Sequence, residues 1–164
     1  MLKHIETKNL PYTQKQLFDL VAGVDKYKEF APWCVASRIN KWDGDIIFYA
    51  DLVVGYKMIR ERFSSKVILE RPDHIYIEYL RGPMRHLKNH WRFKAEPDGS
   101  CTIEFDVEFE FDNSMLQGLA KVFFNEVVKR MVGAFEKRAK EIYGDTETLV
   151  VEESSSNFSP SKNG

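Results

Sequence analysis

Two histidines, His86 and His90, have the spacing that most closely resembles a metal site. Four residues apart on a helix, such a pair shares one face and can chelate zinc. Their segment alternates apolar and polar residues, which predicts a strand, and on a strand they stand roughly 13 Å apart at about 3.3 Å per residue. Cys34 and Cys101 match no zinc or redox spacing, and no Ser-His-Asp or Cys-His arrangement is evident. We therefore predict neither a metal site nor a catalytic residue.

Two polar residues, Asn89 and Glu61, fall on predicted strand faces that are otherwise apolar. Asn89 lies between Leu87 and Trp91 on one face and is expected to point inward. A buried amide needs a hydrogen-bond partner, which is either a neighbouring strand or side chain, or a carbonyl group of a bound ligand. Glu61 either faces inward, where it needs a partner because a buried carboxylate is costly, or is turned towards solvent by a bulge near Gly55. We expect the second arrangement.

A cluster of large rings occupies the segment 27–34, YKEFAPWC. Tyr27, Phe30 and Trp33 surround Pro32, and a helix does not continue through an Ala-Pro pair. Two interpretations remain open: the rings plug one end of the hydrophobic core, or they form the rim of an apolar cavity.

The segment 86–111 is predicted to form a β-hairpin. Pro97, Asp98 and Gly99 have the composition of a tight turn, which would pair Glu96 with Ser100. In this register one face carries opposite charges across the strands, and the other carries only apolar pairs apart from Asn89. The charged pairs are Arg92–Glu104, His90–Asp106, Lys88–Glu108 and His86–Glu110, and the inward pairs are Phe93–Ile103, Trp91–Phe105, Asn89–Val107 and Leu87–Phe109. A slip of one residue would destroy both patterns, so the register is well specified.

The predicted elements follow the order strand, two short helices, six antiparallel strands and one long C-terminal helix. Thr13 with Gln16, and Ser114 with Gln117, have the spacing of capping boxes at the starts of the first and last helices. The last helix is predicted to reach about Tyr143 and to measure roughly 43 Å at about 1.5 Å per residue. Its apolar stripe consists of Leu116, Leu119, Phe123, Val127, Met131, Phe135, Ala139 and Ile142. This order predicts an α+β, helix-grip fold, in which a curved antiparallel sheet wraps a long C-terminal helix.

The composition indicates one folded domain and a polar tail. Residues 1–144 are predicted to form the domain, and the Ser-, acid- and Pro-containing residues 145–164 are predicted to be disordered. The formal net charge of −1 argues against a nucleic-acid partner. The sequence has no apolar run of 18 residues and no recognisable signal or transit peptide.

Five motifs resemble the coenzyme Q-binding protein family of the START-like (polyketide cyclase/lipid-transport) superfamily. They are LPYTQKQLFDLV, YKEFAPWC, DLVVGYKMIRERF, GPMRHLKNHWRF and RAKEIYG, in that order along residues 10–144. The family motif carries over to Pro32, Trp33, Cys34 and Trp91. Bacterial ribosome-associated toxin relatives share much of the same pattern.

The resemblance implies a non-catalytic ubiquinone-binding protein, a lipid chaperone or carrier, that supports respiratory electron transport and coenzyme Q biosynthesis. Ubiquinone would be its bound ligand, with no catalytic cofactor. Its partners would be the membrane surface and respiratory complexes or quinone-biosynthesis enzymes. In a eukaryote it would lie on the matrix side of the mitochondrial inner membrane; in a bacterium, in the cytoplasm or at the membrane periphery. Alternatives are a partner-binding protein of the toxin type and, less favoured, a cyclase or hydrolase that uses the same cavity.

The predicted ligand site lies between the curved sheet and the last helix. Its residues are Phe30, Pro32, Trp33, Phe48, Leu52, Val54, Asn89, Trp91, Phe105, Val107, Phe109, Phe123, Val127 and Met131. The turn 54–58 and the start of the last helix are candidate gates, because Gly55 and Gly118 permit movement there.

Overall fold

A computed structural model describes residues 1–56 and 58–144; the predicted tail, 145–164, lies outside the described residues. The chain forms β1 (Leu2–Leu10), α1 (Gln14–Ala22), a short 3-10 helix (Val24–Glu29), β2 (Cys34–Asp43), β3 (Ile47–Tyr56), β4 (Ile59–Glu70), β5 (His74–Arg81), β6 (Met84–Ala95), β7 (Cys101–Phe111) and α2 (Ser114–Tyr143). The predicted order of elements is therefore confirmed.

The strands form one curved antiparallel sheet with the long helix α2 packed against it. The spatial order is β1-β7-β6-β5-β4-β3-β2. The N-terminal strand β1 therefore forms one edge of the sheet, where it pairs with β7, and β2 forms the other edge. The helix-grip prediction is confirmed. Its core joins α1, the inner sheet face and the second half of α2, and includes Phe18, Phe48, Ile75, Phe105 and Phe135.

The hairpin of β6 and β7 has the predicted register at every inward pair, from Phe93–Ile103 to Leu87–Phe109. The backbone amide of Glu96 donates to the carbonyl of Ser100 at 2.9 Å, and Gly99 has a φ of 88°. A left-handed φ carries little steric cost for glycine, which lets this short turn close.

The cap of α1 is as predicted, and the predicted cap of α2 is wrong. Thr13 and Gln16 form a complete capping box. In α2 the cap is Asn113, whose side chain accepts from the amides of Met115 and Leu116 at 2.8 and 3.2 Å. Gln117 instead accepts from the amide of Phe111 at 2.8 Å. Asn113 takes the cap because it stands one residue closer to β7 and reaches two free amides at once.

Ion pairs cover the outer face of β6 and β7. Arg92 pairs with Glu104, and Glu108 lies 2.7 Å from His86 and 3.8 Å from Lys3. The hydrogen bond from His86 holds the pKa of Glu108 below its usual value. The charged face is thus largely neutralised within the chain.

Candidate ligand cavity

A cavity of about 230 Å³ lies between the first half of α2 and one end of the sheet. That end is where β3 turns into β4, β6 begins and β7 finishes. The helix wall consists of Leu116, Leu119, Ala120, Phe123, Phe124 and Val127, and residues spaced by three and four positions share one face of a helix. The sheet wall consists of Trp33, Val54, Tyr56, Ile59, Glu61, Phe63, Met84, Phe109 and Phe111.

The wall of the cavity is almost wholly carbon. Such a wall suits an apolar chain or the flat face of a ring, and it offers few groups that could direct a reaction. The aromatic share is high, with Trp33, Tyr56, Phe63 and Phe123 among the lining residues.

Glu61 is the one ionisable acid on this wall, and the expectation that it would turn outward is wrong. β3 and β4 pair without a bulge from Ile47–Ile68 to Tyr56–Ile59, which places Glu61 opposite Val54 on the inner face. Register shifts occur elsewhere in the sheet: in β2 between Cys34 and Ala36 and between Ile39 and Lys41, in β4 between Ser64 and Ser65 where it pairs with β5, and in β6 between Met84 and His86.

Trp33 reaches the cavity through an uncommon backbone conformation. Its φ is 62°, a region that a bulky residue rarely adopts. The Gly55 amide donates to the Trp33 carbonyl at 2.8 Å, and a Cβ on Gly55 would lie 2.8 Å from Cγ2 of Val35. Glycine at position 55 therefore allows the close approach that fixes Trp33, whose ring meets Tyr56 edge-on at 6.3 Å.

The two interpretations of the aromatic segment apply to different residues. Trp33 lines the cavity, whereas Tyr27 and Phe30 pack against the core. Both of these rings meet Phe135 of α2 edge-on, with centroids 5.3 and 5.1 Å away, and the hydroxyl of Tyr27 donates to the carbonyl of Val21. Pro32, which lies between Phe30 and Trp33 in the sequence, is half-buried.

The predicted site residues divide between the cavity and the core. On the cavity wall are Trp33, Val54, Phe109, Phe123 and Val127. In or against the core are Phe30, Phe48, Leu52, Trp91, Phe105, Val107 and Met131. Pro32 and Asn89 are half-buried and absent from the cavity wall.

Sequence reasoning missed most of the wall. The missed residues are Tyr56, Ile59, Glu61, Phe63, Met84, Phe111, Leu116, Leu119, Ala120 and Phe124. The spacing of Ile59 and Phe63, and the helical spacing of Leu116, Leu119 and Phe123, mark these residues as inward-facing, whereas Glu61 was expected to turn outward. Neither pattern indicated which stretch of the inner face is hollow.

Both cysteines are poor nucleophiles. Cys34 is half-buried, and burial raises the pKa of its thiol. Burial likewise raises the pKa of Cys101 to about 11, so both stay protonated at neutral pH. Within residues 1–56 and 58–144, no group of three or more His, Cys, Asp or Glu side chains could hold a metal ion. None of the described helices is long and apolar enough to cross a bilayer.

A family model matches residues 10–136 of the chain, that of polyketide cyclase / dehydrase and lipid transport proteins. The curved sheet packed against a long helix, with an apolar cavity between them, agrees with a family that includes lipid transport proteins. The chain belongs to this family.

Three similar proteins cover nearly the same part of the chain. The mitochondrial coenzyme Q-binding protein COQ10 homolog B of Xenopus laevis is 38% identical over 89% of this chain, which spans 61% of that relative's length. The ribosome association toxin RatA of Pseudomonas aeruginosa is 33% identical over 88% of this chain and all of its own. The solution structure of an 18 kDa protein from Caulobacter crescentus is 34% identical, with a TM-score of 0.71, and the match covers 88% of this chain and 100% of that one.

Proposed function

We propose that this protein is a non-catalytic ubiquinone-binding lipid chaperone or carrier that supports respiratory electron transport and coenzyme Q biosynthesis. The observation that carries the proposal is the carbon-walled cavity between α2 and the sheet. Burial of an isoprenoid tail there would contribute about 0.8 kcal/mol for each CH₂ removed from water. The coenzyme Q-binding relative from Xenopus laevis supports ubiquinone as the ligand.

The size of the cavity determines how such a lipid would be held. Its volume of about 230 Å³ lies below the roughly 300–1,000 Å³ of pockets that enclose a drug-sized ligand. A long prenyl chain therefore fits only if α2 moves away from the sheet and enlarges the cavity. The β3–β4 turn and the start of α2, with Gly55 and Gly118, are the proposed gate.

The surface around this gate suits a membrane. Met58, in the β3–β4 turn, is 98% exposed, and Met115 and Val122 of α2 are 66% and 74% exposed. The exposed cations Lys121 and Lys129 lie on α2, and the exposed Arg60 is the second residue of β4. Apolar side chains among cations match the interface of an anionic bilayer. We propose peripheral association through this surface, at the matrix side of the inner membrane if the source is a mitochondrion and at the membrane periphery if it is a bacterium. Delivery to respiratory complexes or biosynthetic enzymes would follow from there.

Met58→Asp should weaken vesicle binding about tenfold, since burying a methionine side chain contributes roughly 1.5–3 kcal/mol. The measurement is co-sedimentation with vesicles of phosphatidylcholine and phosphatidylglycerol. Ile46→Asp is the matched control, because Ile46 is 53% exposed in the β2–β3 turn at the opposite end of β3. Equal losses in the two variants would argue against a specific membrane-facing surface.

Binding itself is tested by titrating the purified chain with decylubiquinone. The tryptophan fluorescence should be quenched to saturation, and the part of this change that comes from Trp33, which lies on the cavity wall, should vanish in Trp33→Phe. The affinity of the same variant for decylubiquinone, measured by calorimetry, should stay within about tenfold of the wild-type value. A wild-type chain that gives no saturable signal by either method would refute ubiquinone binding.

The match to a ribosome association toxin along that protein's whole length supports a second candidate, a partner-binding protein that uses the outer sheet face. Lys88→Glu and Arg92→Glu, on that face, should then abolish ribosome co-sedimentation. Under the ubiquinone proposal they leave ligand binding unchanged, because both side chains lie on the charged outer face and neither lines the cavity. A cyclase or hydrolase would need a pair of polar groups in the cavity, and Glu61 alone is poorly suited to that task.

A further inference from the structure

Two polar atoms on the inner face of β6 are enclosed without a hydrogen-bond partner among the described residues. They are Oδ1 of Asn89 and Nε1 of Trp91. Trp91 is only 6% exposed, and its ring packs against Phe105 at 4.5 Å and Phe135 at 5.5 Å. An unsatisfied buried donor or acceptor destabilises a folded protein, so such a pair on one face of one strand calls for an explanation.

The sheet register relates these atoms to the cavity. Phe109 lies on the cavity wall opposite Leu87, and the next inward pair is Asn89–Val107, followed by Trp91–Phe105. Successive inward pairs are about 7 Å apart along a strand. The unpartnered acceptor therefore lies one step beyond the cavity, and the unpartnered donor lies two steps beyond it.

Positions along helix α2, which faces β6 across the core, also place Trp91 beyond the inner end of the cavity. Val127 lies on the cavity wall, and Phe135, two turns later, meets Trp91. Met131 lies between them on the same face and packs against the core. A methionine side chain is unbranched and adapts to its surroundings, so the side chain at this position of the helix can move aside.

We propose that Asn89 and Trp91 form a ring-binding site, reached when Met131 yields, which holds an oxygen of the quinone or hydroquinone ring. The inference rests on the proposed ubiquinone binding and adds the orientation of the lipid: ring inward, prenyl tail along the carbon-walled cavity. Trp91 Nε1 donates to a carbonyl or hydroxyl oxygen of the ring. The amide of Asn89 accepts from a hydroxyl, or donates to a carbonyl after rotating by half a turn.

This assignment predicts opposite effects on stability and on binding. Asn89→Val removes an unsatisfied group, so the ligand-free protein should be no less stable than wild type in chemical denaturation. Its affinity for decylubiquinone should fall about tenfold, which corresponds to the loss of a good hydrogen bond in an enclosed site. Trp91→Phe removes only the donor and some volume, and should lose a similar factor.

A probe without ring oxygens separates this site from a general effect on packing. Decylbenzene shares the ring and the apolar chain but cannot form these hydrogen bonds, so its affinity should be unchanged within about twofold in both variants. Titrating the oxidised and the dithionite-reduced forms of decylubiquinone shows which ring oxygen is bound, since tighter binding of the reduced form indicates a hydroxyl and equal or weaker binding indicates a carbonyl. Parallel losses for decylbenzene and decylubiquinone, or no loss for decylubiquinone, would overturn the inference and leave ubiquinone binding standing. A clear loss of stability in Asn89→Val would also overturn it, by showing that Asn89 is bonded within the chain. If the wild type binds decylubiquinone in neither form, the proposed function and this inference fail together.

Discussion

Replacing Ala120 with tryptophan should lower the affinity for decylubiquinone by a factor of ten or more. Ala120 is half-buried on the helix wall of the cavity, and an indole ring there would take up much of the volume of about 230 Å³. The change fills an apolar void instead of overpacking a dense core, so the free energy of unfolding should change by less than about 1.5 kcal/mol. Calorimetric titration gives the affinity, and urea denaturation gives the stability.

Lys137→Trp provides the matched control for this variant. Lys137 lies on the same helix and is exposed, so the same ring is added outside the cavity and the affinity should stay at the wild-type value. If Ala120→Trp binds decylubiquinone as tightly as Lys137→Trp does, the ligand does not occupy this cavity.

Phe135→Ala should lower the free energy of unfolding by about 3–5 kcal/mol, the usual cost of truncating a buried phenylalanine. Phe135 is 8% exposed, and its ring contacts Tyr27, Phe30 and Trp91. It therefore joins α2 to the 3-10 helix, to the segment after it and to the sheet. A loss of this size is a large part of the roughly 5–15 kcal/mol available to a small domain, and chemical denaturation would measure it.

Comparing Phe135→Ala with Phe123→Ala, on the same helix, distinguishes a residue packed in the core from one that lines the cavity. Phe123 is half-buried beside space that is already empty, so its truncation should cost clearly less than that of Phe135. Equal losses would mean that both halves of α2 are packed alike, which would contradict the division of the inner face into core and cavity.

The fold could be predicted from the sequence because its signals are local and repeated. Opposite charges on one face of the β6–β7 hairpin and apolar pairs on the other allow a single register. The stripe from Leu116 to Ile142 specified α2 in the same way. The cap was missed because Asn113 and Ser114 are both good capping residues, and the choice between them depends on where β7 ends.

The candidate site could be predicted only in part. Phe123 and Phe135 share one helical stripe, yet one lines the cavity and the other lies in the core. The difference depends on how far α2 stands from the sheet at each turn, and periodicity within one element carries no information about that distance. Likewise, Trp33 is placed on the cavity wall by its positive φ and by a close contact at Gly55. The identities of these two residues do not reveal that backbone conformation or that contact.

The most direct test of the account is organic extraction of the protein as purified from cells, followed by mass analysis for quinones. The account predicts a ubiquinone at a near-stoichiometric level in the wild type and its loss in the folded Ala120→Trp variant. A folded wild-type protein that carries no quinone, and takes up none when it is supplied, would contradict ubiquinone binding and favour the partner-binding function.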